Sequence, residues 1–284
     1  MVISSRSTFR EAQVWASIFL EKNKRDSNLS QHYIQWLMDW DLTTYVKHLD
    51  HELGPKNLSY LLESFERISK DEPIQYILGY QEFMGRRFQV SPATLIPREE
   101  TRGIIDLAAK YLENKPQAKV LDMGTGTGII AITLKKLFPQ ILMVATDISS
   151  EALEIAKNNG NLHQAAITWL ESDLFDQLHQ DCQFDLILSN PPYIAYNEVS
   201  LMDQSVLKYE PKSALFADQS GLEFYHKIAR GIQKFQVLPE QILLEIGFSQ
   251  ASAVLSIFKT LYPKCRVSSH KDFNNRDRFI KVEI

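Results

Sequence analysis

From about residue 98 to the carboxyl end of the chain, short apolar runs alternate with longer segments of helical periodicity. The apolar runs predict strands at residues 118–123, 141–146, 166–170, 184–189, 241–246, 265–270 and 278–283. The segments between them predict helices at about residues 99–113, 128–138, 150–160, 220–235 and 249–261. Such alternation is typical of a mostly parallel sheet with helices on both faces. The last two strands are an exception. Because only a short turn at Asn274-Asn275 separates them, they must pair antiparallel. We therefore predict an α/β fold with one seven-stranded sheet that ends in an antiparallel pair.

The amino-terminal residues have a different character, because apolar side chains recur there at helical spacing without strand-like runs. Thr8 and Glu11 fit a capping box that begins a first helix, and Ser30 can cap a second. Gly54-Pro55 is a turn signal that ends a third. We predict a small helical domain over residues 1–75 that serves recognition and carries no chemistry of its own.

Residues 76–97 form the connection between the two regions. Phe83 and Phe88 flank a glycine-containing turn, which predicts a β-hairpin. We therefore divide the chain into a helical domain at 1–75, a hairpin linker at 76–97 and an α/β domain at 98–284.

Composition and charge exclude several classes of protein. The chain of 284 residues has a formal net charge of −4, whereas a dedicated duplex-DNA binder usually presents a basic face. Cys182 and Cys265 form no close motif, which is typical of a reduced cytosolic protein. We found neither a signal-peptide stretch nor a membrane-length apolar run, so we expect a cytoplasmic protein with no membrane partner. The histidines are scattered without the four ligands of a structural zinc site, so we expect no metal.

A glycine-rich segment joins the first strand of the α/β domain to the helix that follows. Glycines allow a tight turn and a close approach of ligand to backbone, and a helix amino terminus offers free N–H groups. We predict that a nucleoside-containing cofactor is bound by Gly124, Thr125, Gly126, Thr127 and Gly128, and that Asp122 faces an ammonium or ribose group of it. The segment also satisfies the dinucleotide fingerprint, so by itself it does not separate NAD from other nucleoside cofactors.

Acidic residues follow the next two predicted strands. Asp147 comes about 20 residues after the glycine loop, where a carboxylate can accept hydrogen bonds from both ribose hydroxyls. Asp173 and Leu174 follow the third strand and could flank an adenine ring. A helix cap or a solvated loop charge remains the alternative for each aspartate.

The segment Asn190-Pro191-Pro192-Tyr193 follows the short apolar run 186–188, with Ser189 between them. Two prolines have fixed φ angles and cannot donate ladder hydrogen bonds, so the segment is a stiff turn with bare carbonyl groups. An amide side chain, a free carbonyl and an aromatic ring suit the binding of a flat NH2 group, with two acceptors for its hydrogens and a ring to stack on. A plain chain-reversing loop is the alternative.

The order of these segments favours one interpretation. All of them follow predicted strands of one sheet, and ligands of open α/β sheets bind at the carboxyl edge. One crevice would then hold a nucleoside cofactor and bring the NH2-binding turn to it, with Asn190 contacting both. A dehydrogenase has no evident use for such a turn, whereas a methyltransferase that acts on planar nitrogen does.

Together the motifs resemble S-adenosylmethionine-dependent class I methyltransferases, and more closely the release-factor glutamine N5-methyltransferases of the PrmC/HemK family. The resemblance covers roughly residues 73–284. Besides the two motifs above, it rests on residues 73–79, 95–98, 209–211, 213–215, 245–247 and 272–278. Each segment alone is weak, but all of them in this order are specific; the amino-terminal helices match only in kind.

The resemblance implies a Rossmann-like methyltransferase sheet, S-adenosyl-L-methionine as cofactor, and the glutamine of the Gly-Gly-Gln motif in class I peptide-chain release factors as substrate. It also implies that Arg98 and Thr101 close over the methionine end of the cofactor. Three positions depart from the family pattern. Glu99 stands where proline is common, Met123 replaces a more usual aliphatic residue, and Leu174 occupies a place where relatives carry an aromatic ring.

The implied reaction needs orientation and polarisation more than a strong base. We expect the Asn190 side-chain oxygen and the Pro191 carbonyl to accept the two N–H groups of the target amide, with Pro192 completing the turn and Tyr193 packed against the amide plane. Catalysis is therefore assigned to Asn190, Pro191 and Tyr193.

Two alternatives remain at this stage. An adenine-N6 DNA methyltransferase would also have to bind and methylate a planar NH2 group, after flipping the base out of the duplex. The net negative charge of the chain argues against this alternative. A catalytically silent adaptor is disfavoured by the intact Asn190, Asp147 and glycine loop. We expect a monomer whose substrate is a protein rather than nucleic acid.

Overall fold

The computed structural model describes residues 2–284, which divide into two compact units. The first unit extends to Gly79 and also contains Gln204–Tyr209. The second unit comprises Tyr80–Asp203 and Glu210–Ile284. The sequence patterns assigned residues 204–209 to the α/β domain, because nothing in their composition separates them from their neighbours.

The regular elements follow one another along the described chain. The helices are α1 (Phe9–Lys22), α2 (Ser30–Met38), α3 (Leu42–His48), α4 (Gly54–Ser69), α5 (Ile74–Leu78), α6 (Arg102–Leu112), α7 (Ile129–Leu137), α8 (Ser150–Leu162), α9 (Gln204–Tyr209), α10 (Asp218–Gly221), α11 (Glu223–Gly231) and α12 (Ala251–Leu261). The strands are β1 (Tyr80–Phe83), β2 (Arg86–Gln89), β3 (Lys119–Met123), β4 (Leu142–Asp147), β5 (Thr168–Glu171), β6 (Leu186–Ser189), β7 (Ile194–Ala195), β8 (Phe216–Ala217), β9 (Gln241–Glu245), β10 (Arg266–Lys271) and β11 (Asp277–Glu283).

The helices of the first unit begin where local capping chemistry allows. The predicted capping box of α1 is confirmed: the Thr8 N–H donates to Glu11 Oε2 at 2.8 Å, and the Glu11 N–H donates to Thr8 Oγ1 at 3.3 Å. The predicted cap at Ser30 is wrong, because Ser30 is already the first residue of α2 and no side chain caps that end. Gly54 and Pro55 begin α4 rather than end α3, since proline suits the first turn of a helix.

The first unit is held together by an apolar core and by α9. Its core contains, among others, Phe9, Leu20, Ile34, Leu61 and Phe65. Helix α9 is tied to the end of α4, because Lys208 Nζ and Tyr209 OH donate to the Lys70 carbonyl at 2.8 and 2.9 Å.

The second unit contains the predicted seven-stranded sheet, in the order β10-β11-β9-β6-β3-β4-β5. Five consecutive strands of this sheet, β9-β6-β3-β4-β5, are parallel to one another. Strand β11 is antiparallel to both β9 and β10. The α/β fold with an antiparallel carboxyl-terminal pair is therefore confirmed.

Two apolar clusters cover the two faces of this sheet, because successive side chains of a strand point in opposite directions. Leu186 and Leu188 of β6 pack with α6 and α7, while Ile187 packs with α11 and α12. Burial on both faces explains the apolar run Leu186-Ile187-Leu188 of β6, as the sequence indicated.

Strands β1 and β2 form the predicted hairpin. Met84 and Gly85 have φ of 47° and 73°, the left-handed values that a two-residue type I′ turn requires. Phe83 and Phe88 are buried in the cluster that also holds α6 and α7. The hairpin is thus part of the core of the second unit.

The order of the strands reverses at β3, which has β4 on one side and β6 on the other. Ligands of open α/β sheets bind outside the carboxyl ends of the strands at such a switch point. Met123, Asp147 and Ser189 are the last residues of three adjacent strands there. The topology therefore places the predicted motifs around one crevice.

Candidate active site

A cavity of about 350 Å³ opens at the carboxyl ends of β3, β4, β5 and β6. Most of the predicted site residues line it, namely Arg98, Thr101, Gly124, Thr125, Gly126, Thr127, Asp147, Asp173, Leu174, Asn190, Pro191 and Pro192. Asp122, Gly128 and Tyr193 are not part of the lining.

The glycine loop uses its glycines for two different purposes. Gly124, Gly126 and Gly128 have φ of 68°, 55° and 80°, which side chains rarely adopt. A Cβ on Gly124 or Gly126 would meet no atom within 4 Å, so the loop leaves open space there. A Cβ on Gly128 would lie 2.9 Å from Ile132 Cδ1 and 3.1 Å from Trp169. Gly128 therefore serves close packing, and its contact with a cofactor stays a prediction.

Asp122 lies beneath the loop, as a fully buried residue of β3. Its Oδ2 accepts hydrogen bonds from Thr125 Oγ1 at 2.7 Å and from the Ala131 N–H at 3.2 Å. Burial raises the pKa of Asp122 to about 7, although both hydrogen bonds act in the opposite direction. The structure gives Asp122 the role of tying the loop to α7, in place of the predicted contact with a cofactor.

Asp147 ends β4 and lines the cavity. Its Oδ2 accepts from the Gly126 N–H at 2.8 Å, and its Oδ1 accepts from the Ser149 N–H at 3.0 Å. Burial raises its pKa, while these backbone hydrogen bonds oppose the shift. The carboxylate is therefore held in one position, with lone pairs left for a ligand.

The segment after β5 brings Asp173 and Leu174 to the cavity. Leu174 has a φ of 47°, which is strained for a residue with a Cβ. Ser172 holds this turn, since its Oγ donates to the Leu174 carbonyl at 3.1 Å and accepts from the Gln177 N–H at 3.1 Å.

Asn190, Pro191 and Pro192 line the cavity directly after β6, whereas Tyr193 turns away from it. The Tyr193 ring packs against the cluster that holds α11 and α12, and its hydroxyl lies 3.5 Å from Arg278 Nη1. Burial raises the pKa of Tyr193 to about 12. The ring therefore packs behind the turn and outside the cavity lining, and its stacking on a target amide stays a prediction.

A different aromatic pair stands at the cavity. Tyr196 and Phe216 line it and stack with ring centroids 5.1 Å apart and planes at 14°. Strands β7 and β8 pair Ile194 with Phe216 and Ala195 with Ala217, which brings the two rings together. The sequence analysis missed both rings, because strands of two residues leave no periodic pattern to detect.

The turn after β6 is braced from behind by two further segments. Gln250 Nε2 donates to the Tyr193 carbonyl at 2.8 Å, and Gln250 Oε1 accepts from the Gly247 N–H at 2.9 Å. Gly221 has a φ of 80°, and a Cβ there would lie 2.1 Å from the Tyr193 carbonyl oxygen. The backbone at Gly221 thus touches the turn so closely that no side chain fits.

We expect Gly221→Ala to displace this turn. The clash, added to the left-handed backbone, should lower the free energy of unfolding by about 2–4 kcal/mol. A displaced Asn190 should also lower kcat by up to about 100-fold. Thermal unfolding and steady-state kinetics measure the two effects.

Gly85→Ala is the matched control, because Gly85 also has a left-handed φ, of 73°, but open space around its missing Cβ. It should lose about 1 kcal/mol of stability from backbone strain and retain its kcat. Equal kinetics for the two variants would contradict a bracing role for Gly221.

Arg98 is held at the cavity by a buried carboxylate that the sequence analysis did not assign. Glu210 is 4% exposed, forms an ion pair with Arg98 and accepts the Ile96 N–H at 3.0 Å. Two hydrogen bonds to a single carboxylate fix both the side chain and the backbone of this segment.

Thr101 is held by a second buried carboxylate. Its Oγ1 donates to Glu245 Oε2 at 3.0 Å, across 144 residues of chain. Glu245 ends β9, and burial raises its pKa to about 7. Glu210 and Glu245 entered the sequence analysis only within family motifs, since no local pattern reveals partners so distant in the chain.

Within residues 2–284, no group of three or more His, Cys, Asp or Glu residues is arranged to hold a metal ion. No helix in the same part of the chain is both long and apolar enough to cross a bilayer.

Solved structures share the fold of this chain. A methyltransferase from Pyrococcus furiosus superimposes with a TM-score of 0.51 at 16% identity, covering 80% of this chain and 97% of that one. The hMettl16 catalytic domain, solved with an RNA hairpin, superimposes with a TM-score of 0.56 at 15% identity, covering 81% and 80%. At these identities the likeness shows the methyltransferase fold alone.

Sequence comparison is more specific. Residues 104–213 match the methyltransferase small domain family, and residues 11–79 match the PrmC N-terminal domain. The release factor glutamine methyltransferase of Enterococcus faecalis is 35% identical over 95% of this chain and 96% of its own length. Those of Lactococcus lactis and Geobacter sulfurreducens are 39% and 35% identical, over 84% and 98% of this chain and 88% and 97% of their own. Because such identity extends along both units of the chain, it belongs to the release factor glutamine methyltransferase family.

Proposed function

We propose that this chain transfers a methyl group from S-adenosylmethionine to the side-chain amide nitrogen, N5, of the glutamine in the Gly-Gly-Gln motif of class I release factors. The observation that carries the proposal is that one cavity is lined both by Asn190 and Pro191 and by Gly126 and Asp147. An amide-binding turn and a nucleoside-binding loop thus share one enclosure. We place the enzyme in the cytoplasm, as a monomer.

The cavity suits S-adenosylmethionine. Its volume of about 350 Å³ falls in the range of small-molecule sites. Gly124 and Gly126 leave open space beside the loop, and Asp147 presents a fixed carboxylate to a ribose. Asp173 and Leu174 would flank the adenine, and the methionine end would lie toward Arg98, Thr101 and Asn190. When bound, the cofactor supplies a methyl group made electrophilic by the positive sulfur.

The residues of the chain provide orientation. An amide nitrogen is a poor nucleophile because its lone pair is delocalised into the carbonyl group. Asn190 Oδ1 and the Pro191 carbonyl would accept its two N–H groups, which raises electron density on nitrogen and aims its lone pair. Pro192 stiffens the turn, and the partly buried side chain of Tyr193 keeps it in place. Alkylation would leave the nitrogen positively charged with two hydrogens, of which water removes one, while the cofactor departs as a neutral thioether.

A methyl-transfer assay with three substrates tests this proposal. Labelled S-adenosylmethionine is offered with a class I release factor, with the same factor carrying Gln→Ala in its Gly-Gly-Gln motif, and with duplex DNA. We expect label in the unmodified factor alone. Label on DNA alone would identify an adenine methyltransferase, and no label on any substrate would identify a silent adaptor; either result contradicts the proposal.

A further inference from the structure

Glu245 is a buried carboxylate at the back of the proposed amide-binding site. It is 2% exposed, and no Lys, Arg or His nitrogen of residues 2–284 lies within 4.0 Å of it as an ion-pair partner. Its Oε2 accepts the Thr101 hydroxyl at 3.0 Å. A buried carboxylate without an adjacent cation is costly, so its presence beside a reaction site calls for a function.

Glu245 acts on Asn190 in two ways, through a direct interaction with the Asn190 side chain and through the Thr101 hydroxyl. A hydroxyl has one hydrogen, and the Thr101 hydroxyl donates it to the Glu245 carboxylate. Thr101 Oγ1 can then offer Asn190 only a lone pair, and Asn190 Nδ2 lies 3.5 Å from it. The NH2 end of the Asn190 amide must therefore face Thr101, and Oδ1 is left for the substrate.

We propose that Glu245 is a positioning residue, which acts both directly and through Thr101 to hold the Asn190 amide with its oxygen turned toward the target nitrogen. The inference rests on the proposed function. The two ends of an asparagine amide have nearly the same shape, so packing alone cannot select one of them. In the opposite orientation, Asn190 would present an NH2 group to the NH2 group of the substrate and could not accept from it.

The negative charge on Glu245 is what selects one orientation of the Asn190 amide. A protonated carboxyl carries its own O–H donor, so the Thr101 hydroxyl can turn around and accept, and both orientations of Asn190 become possible. Burial raises the pKa of Glu245 to about 7, so this change falls near neutral pH. Activity should therefore be full above pH 7 and decline as the pH falls through that value.

Four titratable or charged groups act on Glu245 from the surrounding elements. Arg278 of β11 lowers its pKa, while Glu100, just before α6, raises it. Tyr193 and Tyr225 also interact with it, but burial raises the pKa of Tyr193 to about 12 and that of Tyr225 well above its usual value, so both hydroxyls stay neutral near pH 7. Of Glu245 and these two tyrosines, Glu245 is thus the group that changes charge near pH 7.

Glu245→Gln is the decisive variant, because it keeps the shape and removes the charge. We expect kcat to fall about 10- to 100-fold, as for loss of a positioned polar contact, with the dissociation constant of S-adenosylmethionine within about threefold. The decline of kcat below pH 7 should disappear. In the wild type, the side-chain amide NMR signals of Asn190 should shift with the same midpoint, and in the variant they should not.

Two sets of variants separate positioning from folding. Thr101→Val should lose kcat like Glu245→Gln, and Thr101→Ser should recover most of that loss because it restores the hydroxyl. Glu240→Gln makes the same chemical change on an exposed residue just before β9 and should leave kinetics and pH profile unchanged.

Two outcomes would overturn the inference. One is a wild-type kcat and pH profile for Glu245→Gln. The other is a lower kcat with the decline below pH 7 intact, which would mean that Glu245 acts only structurally. In either case the wild type still methylates the release factor, whereas a wild type that transfers no methyl group to any release factor defeats the proposed function instead.

Discussion

Asn190→Ala should abolish most of the methyl transfer while leaving the cofactor bound. The change removes the side-chain oxygen that we propose accepts one N–H of the target amide. Loss of a fixed hydrogen-bonding group at a reaction centre typically costs about 100- to 1,000-fold in kcat. Because the glycine loop and Asp147 do not depend on Asn190, the dissociation constant of S-adenosylmethionine should change by only a few-fold. Single-turnover kinetics and calorimetry measure the two quantities.

The control for this variant is Asn161→Ala, which makes the same change on an exposed residue of α8. It should behave like the wild type in both measurements. A turnover near wild type for Asn190→Ala would refute the assignment of Asn190 to the target amide. A large loss of cofactor affinity with unchanged kcat would assign it to the cofactor alone.

Asp147→Ala should produce the reverse pattern. Its carboxylate accepts the Gly126 N–H at 2.8 Å and would accept the ribose hydroxyls, so its removal loosens the loop and deletes ligand contacts. Hydrogen bonds to charged groups contribute about 1.5–3 kcal/mol, which predicts a dissociation constant for S-adenosylmethionine raised about 10- to 100-fold. At saturating cofactor, kcat should fall much less.

Asp176→Ala is the matched control, since Asp176 is an exposed aspartate outside the cavity lining. Its affinity for the cofactor should equal that of the wild type. If Asp147→Ala binds S-adenosylmethionine as tightly as the wild type, Asp147 does not hold the ribose and the proposed cofactor orientation fails.

The sequence by itself was sufficient for the architecture of the sheet. Strands buried on both faces are mostly apolar, as Leu186-Ile187-Leu188 of β6 are, and helices between them favour a parallel order. The short connection at Asn274-Asn275 likewise forced an antiparallel pair. These are local constraints, so they can be read from neighbouring residues.

The same logic located most of the cavity. Gly124, Gly126, Asp147 and Asn190 each follow or end a strand, and the carboxyl ends of adjacent parallel strands meet at one edge. Placing them together required only the order of segments along the chain.

Tertiary structure alone decided how individual side chains are used. Tyr193 follows Pro192 directly, yet its partly buried ring packs behind the turn while Tyr196 reaches the cavity, because the pairing of β7 with β8 sets the direction of the chain there. Gly128 shares a motif with Gly126 but packs against Trp169.

The roles of Glu210 and Glu245 were also beyond what local sequence patterns can predict. Each is separated from its partner at the cavity wall by more than a hundred residues, at 112 for Glu210 with Arg98 and 144 for Glu245 with Thr101. Periodicity and turn chemistry describe neighbours in sequence, so they determined the sheet and the edge at which ligands bind. The pairing of each buried carboxylate with a cavity residue depends on contacts between distant segments of the chain. Those contacts exist only in the folded protein.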